Sequence, residues 1–573
     1  MAFVRVVETK SSSGTIHKYA RVVENKRKNG KVTQVVVANL GNVDALRKDI
    51  KNIVNGLLKA VGEKPVAFPQ DYSAAKTLEF GVRYVAQTVW EQLELDKEIK
   101  KLLKPTRTEL DYEKWIRMMV INKLSDPASK LGIFQWLKGV WWPEHGFEAQ
   151  VLDESIEPDA CQLLGKREAM KFYRAMDLLL PLKEKLEKHL YLKLRNLFNL
   201  KVDLVFYDVT SSYFEGAGPV DFAKLGYSRD KQPGKKQVVI GLIMCNGLPL
   251  GHEVFAGNRL DKKTVKDVLG KLKKQFEIEH CIFVGDRGMV SKENLEELEE
   301  KGFDSILALK KRRNNQVKSI LLDNGPLIFC RESDQLEWCE IVGDDEIRYI
   351  VCRNPIAAAE QKESRGQKLK ELEFQLSELA QKVNAKKRPA VKTIVKQTEE
   401  ILSHKHGRRL LQYQVDEQSR KLKFERRQEA IKLEQALDGV YILRTKEEKI
   451  EPLKIIDAYK GLCDVERAFR SMKSVLELRP FYHHTESRVR AHTFICFLAY
   501  LIEKYTEKKL KAAKVQMSAE KAFASLSNMG IAVMKVEQEY YGYVTEPTYW
   551  QQRIMKAIGV KPPQRFRVGQ NLA

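Results

Sequence analysis

The chain has 573 residues, 43% of them hydrophobic, so it is too long for one ordinary core and apolar enough for several. Its 100 Lys and Arg outweigh 77 Asp and Glu, and a net charge of +23 points to a polyanionic partner, nucleic acid first. The eight cysteines form no Cys-x-x-Cys pair, residues 1–8 lack the apolar core of a signal peptide, and the longest apolar run, Phe494 to Ile502, is too short to span a bilayer. A cytoplasmic protein with no zinc knuckle and no membrane partner is therefore expected.

Residues 1–70 open with strand-like alternation. Lys28-Asn29-Gly30-Lys31 predicts a turn between Tyr19–Glu24 and Val32–Ala38, a small β-rich region. Its basic tip (Lys26, Arg27, Lys28, Lys31) is either a solvated loop or a phosphate contact. Residues 71–200 read as a helical domain punctuated by prolines, without a helix-turn-helix signature. A DNA-end-binding role there is inferred from position alone.

The period changes at 201. Val202–Asp208 predicts a buried strand with an acid at its end, and Asn246-Gly247 a hairpin turn between Gln237–Cys245 and Leu248–Phe255. An amphipathic helix is expected over Asp261–Phe276. Cys281–Asp286 is a second short strand ending in an acid, Ser291–Lys301 a helix capped by Ser291, and Ser305–Leu309 a strand. This order predicts an α/β fold, a mixed sheet flanked by helices, over 201–310.

Residues 311–450 interrupt that pattern as an insertion of strands around a long helical stretch. Leu369, Leu372, Leu376, Leu379 and Val383 are spaced 3-4-3-4, and a second helix follows Pro389, so a helical hairpin is expected. Gln412–Glu417, Leu422–Arg426 and Val440–Arg444 look like strands. Over 451–510 one helix is expected from Pro452 to about Leu478 and another over Ser487–Lys508. Residues 511–573 are expected as a helical tail.

Three acids stand out. Asp208 and Asp286 end strand-like runs, where a side chain can leave the core of an open sheet. Glu466 lies between Tyr459 and Lys473 at seven-residue spacing, which on a helix returns to within roughly 20° of one face. Each acid alone reads as an ordinary cap or surface group. Together they suit two hard cations, Mg²⁺ or Mn²⁺, held about 4 Å apart over a phosphodiester. Arg470 and Lys473 could neutralise phosphate oxygens. Arg229, Lys235 and Lys236, in the loop 226–237, read as phosphate-backbone contacts or as a plain surface loop.

These residues resemble the DDE transposases of bacterial insertion sequences. Tyr459, Glu466 and Lys473 match the Tyr-x2-Arg-x3-Glu-x6-Lys signature of insertion sequence family four and its large relatives. Phe206–Glu215 is similar to their first-acid motif and Gly285–Met289 to the second. Arg479–His483 and Arg490–His492 are similar to the sequence that trails the third acid. Leu462 stands where the signature has Arg, which puts a phosphate contact in doubt.

The resemblance implies a ribonuclease H-like catalytic domain with Asp208, Asp286 and Glu466 as metal ligands. It implies Tyr459 and Lys473 as DNA-end contacts, and Trp338 as the aromatic of the insertion that stacks on a flipped base, unless it is a core residue. It also implies cut-and-paste transposition of double-stranded DNA: terminal inverted repeats, target DNA and a homodimer in a synaptic complex. A ribonuclease H-like nuclease or resolvase without strand transfer, and an inactive DNA-binding derivative, remain the alternatives.

Overall fold

The structure is a computed structural model and describes residues 2–28, 31–63, 72–104, 111–142, 158–289, 291–310, 312, 314–323, 327–343, 346–384, 389–536, 539–563 and 566–568. At the N-terminus β1 (Ala2–Lys10), β2 (Ile16–Lys28) and β3 (Lys31–Asn42) form an antiparallel meander. The two expected strands are longer than the sequence suggested, and the Asn29-Gly30 turn lies outside the described residues. Helix Val43–Ala60 follows, started by the Asn42 side chain, which accepts the Asp44 N–H at 2.8 Å.

The region expected to be helical begins with a strand, β4 (Tyr72–Glu79), and continues as helices. Among them, Tyr112–Ser125 is buried along nearly its whole length.

The large sheet carries the rest. Its strands are β5 (Leu204–Tyr213), β6 (Gln237–Cys245), β7 (Leu248–Ala256), β8 (Ile282–Gly285), β9 (Asp304–Ala308), β10 (Cys330–Ser333), β11 (Leu336–Val342) and β12 (Arg348–Arg353), with β13 (Leu411–Val415) and β14 (Leu422–Arg426) paired separately and β15 (Val440–Thr445) returning to it. The order is β10-β11-β12-β15-β9-β8-β5-β6-β7. β5 pairs antiparallel with β6 and parallel with β8, and β8 is parallel to β9. The predicted β6–β7 turn is present: Asn246 and Gly247 take φ of 49° and 73°, the left-handed pair that a two-residue hairpin needs.

Four strands from the 311–450 segment thus extend the same sheet rather than standing apart from it. What projects is a pair of helices, Pro355–Asn384 and Val391–Ser403, with the β13–β14 hairpin. Val383 packs near Ile394, and Leu372 and Leu376 near Leu402, so the two helices run antiparallel.

The apolar run Phe494–Ile502 belongs to helix Glu486–Ala512 and is buried all round. That helix packs between the sheet, at β7, and the helices Tyr112–Ser125 and Pro158–Leu179. Its composition is that of a core spine, buried against protein on every side. No helix among the described residues is long and apolar enough to cross a membrane.

The expected helical tail is only partly helical. β16 (Gly530–Val536), β17 (Glu539–Val544) and β18 (Phe566–Val568) form a sheet in the order β18-β17-β16-β4, so the C-terminal segment pairs with the strand that opens the helical region. The alternating Ile531, Val533 and the tyrosines of β17 carry that strand signal, beside the helices Ala519–Ser527 and Tyr549–Ile558.

Candidate active site

Register brings the first two acids together. Tyr207 on β5 pairs with Gly285 on β8, in parallel, so the next residues, Asp208 and Asp286, are neighbours across strands about 4.8 Å apart. Asp286 leaves β8 at its end, as its sequence suggests. Asp208 does not end its strand: β5 runs on to Tyr213, paired with β6. Its side chain is half-buried and lines the cleft from mid-strand.

The helix carrying the third acid is also shaped differently from the expectation. It is two helices, Pro452–Lys460 and Leu462–Arg470, followed by a π-turn over Ser471–Val475. The break is one residue, Gly461, whose backbone stays near helical (φ −59°, ψ −18°). A Cβ there would lie 2.6 Å from Phe206 Cε1, so glycine lets the helix pair press against β5 beside Asp208. The simple one-face argument for Tyr459, Glu466 and Lys473 therefore holds only loosely, yet all three residues reach the β5–β8 region.

Asp208, Asp286 and Glu466 line one cleft of about 270 Å³, with Thr210, Arg229, Asp261 and Phe469 among its other walls. Asp208 Oδ1 accepts the Val209 N–H at 2.7 Å. Burial, with Asp286 and Asp261 adding repulsion, pushes the Asp208 carboxyl up to about 7 against the pull of the Val209 N–H and Arg229. The Tyr459 hydroxyl donates to Asp286 Oδ1 at 3.4 Å. Burial and the Asp286 charge push that phenol up.

Lys473 donates to Thr210 Oγ1 at 2.6 Å and to Asp230 Oδ1 at 2.9 Å, and Arg479 shares the same Asp230 oxygen. Its ammonium is thus engaged by protein groups beside the cleft. Burial pulls its pKa down, and Asp230 opposes this.

Arg229 lines the cleft and donates to Asp261 Oδ2 at 2.6 Å; its backbone N–H bonds Ser211 Oγ at 2.9 Å. Lys235 pairs with Glu215 over the Tyr213 ring, and the Lys236 carbonyl accepts from Phe214 N–H. The loop 226–237 is thus tied back to β5 and the residues just beyond it. Arg470 is exposed at the end of the Glu466 helix. Trp338 lies on β11 opposite Cys330 and Cys352, half-buried against the main core, and is not among the residues lining the cleft.

Leu462, at the signature's Arg position, is buried and brings no charge. Arg467, further along the same helix, pairs with Asp464 at 2.9 Å. His252 is fully buried, stacked on Phe494 and Phe497, and burial lowers it to about 4.

Sequence reasoning missed Asp261, a fourth carboxylate in the cleft, and Asp230, which joins Lys473 to Arg479. Asp261 was readable only as the start of a helix. Its place opposite Asp208 depends on β7 and β5 lying in one sheet.

The mixed sheet, with acids from its central parallel strands facing a helical glutamate, is consistent with the ribonuclease H-like class of α/β enzymes. The family described as transposase DDE domain matches residues 202–502, which is 301 of the 573 residues. The chain belongs to the DDE transposases of insertion sequences. The N-terminal domain of IS1634 family transposases matches residues 4–70. No curated protein matches the chain. Membership implies DNA cleavage and transesterification with divalent metal ions.

Proposed function

We propose that this transposase cleaves the ends of an insertion sequence and joins them to target DNA by 3′-hydroxyl attack, a cut-and-paste reaction. The observation that carries the reading is the convergence of Asp208, Asp286 and Glu466 on one cleft from β5, β8 and the helix after Gly461.

The donor set fits Mg²⁺ or Mn²⁺. The described cleft walls offer carboxylates and a hydroxyl and no His or Cys, and hard cations take oxygen ligands. Asp208, Asp286 and Glu466 would hold the ions; burial first, and then the neighbouring Asp286 and Asp261, raise the Asp208 carboxyl, a charge that a bound cation would offset. Two ions bound there supply Lewis-acid stabilisation of the attacking and leaving oxygens of an in-line displacement.

The chain's own groups orient and neutralise. Tyr459 fixes the Asp286 carboxylate through its hydroxyl. Lys473 anchors Asp230 and Thr210 beside Asp208 and takes up a DNA-end phosphate by exchanging those partners. Arg229, Arg470, Lys235 and Lys236 contact the phosphate backbone along the cleft mouth, and Trp338 stacks on a displaced base.

Residues 1–70 and 71–200 contact the element ends, 201–310 and 451–510 form the catalytic domain, and 311–450 is its insertion, with 511–573 as the tail. The partners are the terminal inverted repeats and target DNA, held by a homodimer in a synaptic complex on the cytoplasmic nucleoid.

Incubating the protein with an oligonucleotide end and a supercoiled target in Mg²⁺ tests the reading. Covalently joined end–target product supports it. Hydrolysed ends with no joined product would show a nuclease or resolvase, and end binding with no cleavage an inactive derivative.

A further inference from the structure

At the far end of β8 and β9 from Asp286, three more donors converge. His280 precedes β8 by two residues, Asp304 opens β9, and Glu447 follows β15 by two. One ligand atom of each lies within 4.8 Å of the others. His280 Nε2 is 3.4 Å from Asp304 Oδ2. Donors bound at about 2.1 Å to one tetrahedral ion lie about 3.4 Å apart, so this edge already has the spacing of a shared ion.

The groups around the three donors favour the same reading. His280 Nδ1 lies 3.2 Å from the Gly302 carbonyl. Donating there leaves the Nε2 lone pair turned toward the two acids, the tautomer a metal-binding imidazole uses. Glu447 sits in a fixed loop: Arg348 Nη1 donates to the carbonyls of Glu447, Glu448 and Ile450 at 2.6, 3.3 and 2.8 Å. Glu447 Oε1 accepts the Lys449 N–H at 3.0 Å, and the Glu447 and Asp304 carboxyls lie in hydrogen-bond contact, so an ion there would replace that contact. Among the described residues no Lys or Arg pairs with either the Asp304 or the Glu447 carboxylate.

We propose that His280, Asp304 and Glu447 form a second metal site, for a first-row transition dication, separate from the catalytic cleft. One imidazole with two carboxylates selects Mn²⁺, Fe²⁺ or Zn²⁺ over Mg²⁺, which prefers oxygen alone. The three donors come from distant stretches of the chain. An ion there ties the starts of β8 and β9 to the segment that leads, five residues later, into helix Pro452–Lys460 and Tyr459. The site therefore braces the helix that precedes the glutamate helix, from the strand ends opposite the cleft.

Mn²⁺ added to the full-length protein and read by pulsed EPR tests this. The three cleft acids offer no nitrogen, so nitrogen modulation of the Mn²⁺ signal reports a histidine ligand. The expected result is modulation in the wild type, and also in a protein carrying Asp208→Asn, Asp286→Asn and Glu466→Gln together. It disappears in His280→Ala. In the triple-substituted background, Glu447→Gln weakens Mn²⁺ binding at least ~tenfold, each tenfold being about 1.4 kcal/mol. Absence of modulation in the wild type, its persistence in His280→Ala, or unchanged Mn²⁺ affinity in Glu447→Gln would overturn the proposal.

Discussion

The Tyr459 hydroxyl lies 3.4 Å from Asp286 Oδ1 and joins the helix before Gly461 to the end of β8. The Tyr459 ring is itself stacked on Tyr441 of β15, with centroids 5.8 Å apart. One carboxylate of the cleft is therefore oriented by a side chain 173 residues away in sequence.

Tyr459→Phe removes that hydrogen bond and keeps the ring. A net contribution of about 1 kcal/mol corresponds to an approximately fivefold fall in cleavage rate, with end binding nearly retained. Single-turnover cleavage of an oligonucleotide end measures it. A rate equal to wild type would mean that the hydroxyl does not position Asp286.

Asp208 predicts a trade between stability and activity. Its carboxyl is raised from 3.8 to about 7, so the folded protein holds that proton more tightly than the unfolded chain. The neutral carboxyl favours folding fully below about pH 4. That benefit is lost as pH rises toward 7, and above it the crowded charge opposes folding. Asp208→Asn, without metal, should therefore raise the unfolding free energy at pH 8, read by denaturant titration, by at most about 4 kcal/mol. The gain shrinks toward pH 5, and cleavage is abolished. A gain independent of pH would contradict this.

The Asp230 side chain is 4% exposed and holds both Lys473 and Arg479. Lys473→Met removes one partner of a buried carboxylate and should cost about 3 kcal/mol or less, since Arg479 remains. Asp230→Asn in the same chain should recover part of the loss. Additive effects of the two substitutions in thermal unfolding would show that the pair is not coupled.

Gly461→Ala pushes a methyl group against Phe206 and the Ala458 carbonyl, at 2.6 and 3.0 Å from the ideal Cβ. The backbone there suits alanine, so the cost is overpacking, about 1–3 kcal/mol. Adding Phe206→Leu should restore stability. If Gly461→Ala is neutral on its own, the close approach of the helix pair to β5 is wrong.

Much of this site was legible in the primary structure because its signals are local. The β6–β7 turn followed from Asn246-Gly247, and Asp286 from a short apolar run that stops. Asp208 was found for a partly mistaken reason. The apolar run ends there, but the strand continues, since Thr210 to Ser212 are polar residues buried in the sheet. The helix of Glu466 read as continuous because nothing local announces that Gly461 faces Phe206. Asp261 and Asp230 escaped because their meaning lies in contacts across the sheet. Strand β4 and the C-terminal strands escaped because β4 and β16 find each other across more than 450 residues.

The central claim, that the three acids hold the catalytic ions, is tested most directly by a change of ligand atom. Asp208→Cys and Asp286→Cys replace a hard oxygen with a soft sulfur, which Mn²⁺ tolerates better than Mg²⁺. End cleavage by each variant should be lost in Mg²⁺ and regained in Mn²⁺, while the corresponding alanine variants stay inactive in both. Cysteine variants that cleave equally well with either ion, or alanine variants that cleave at all, would contradict it.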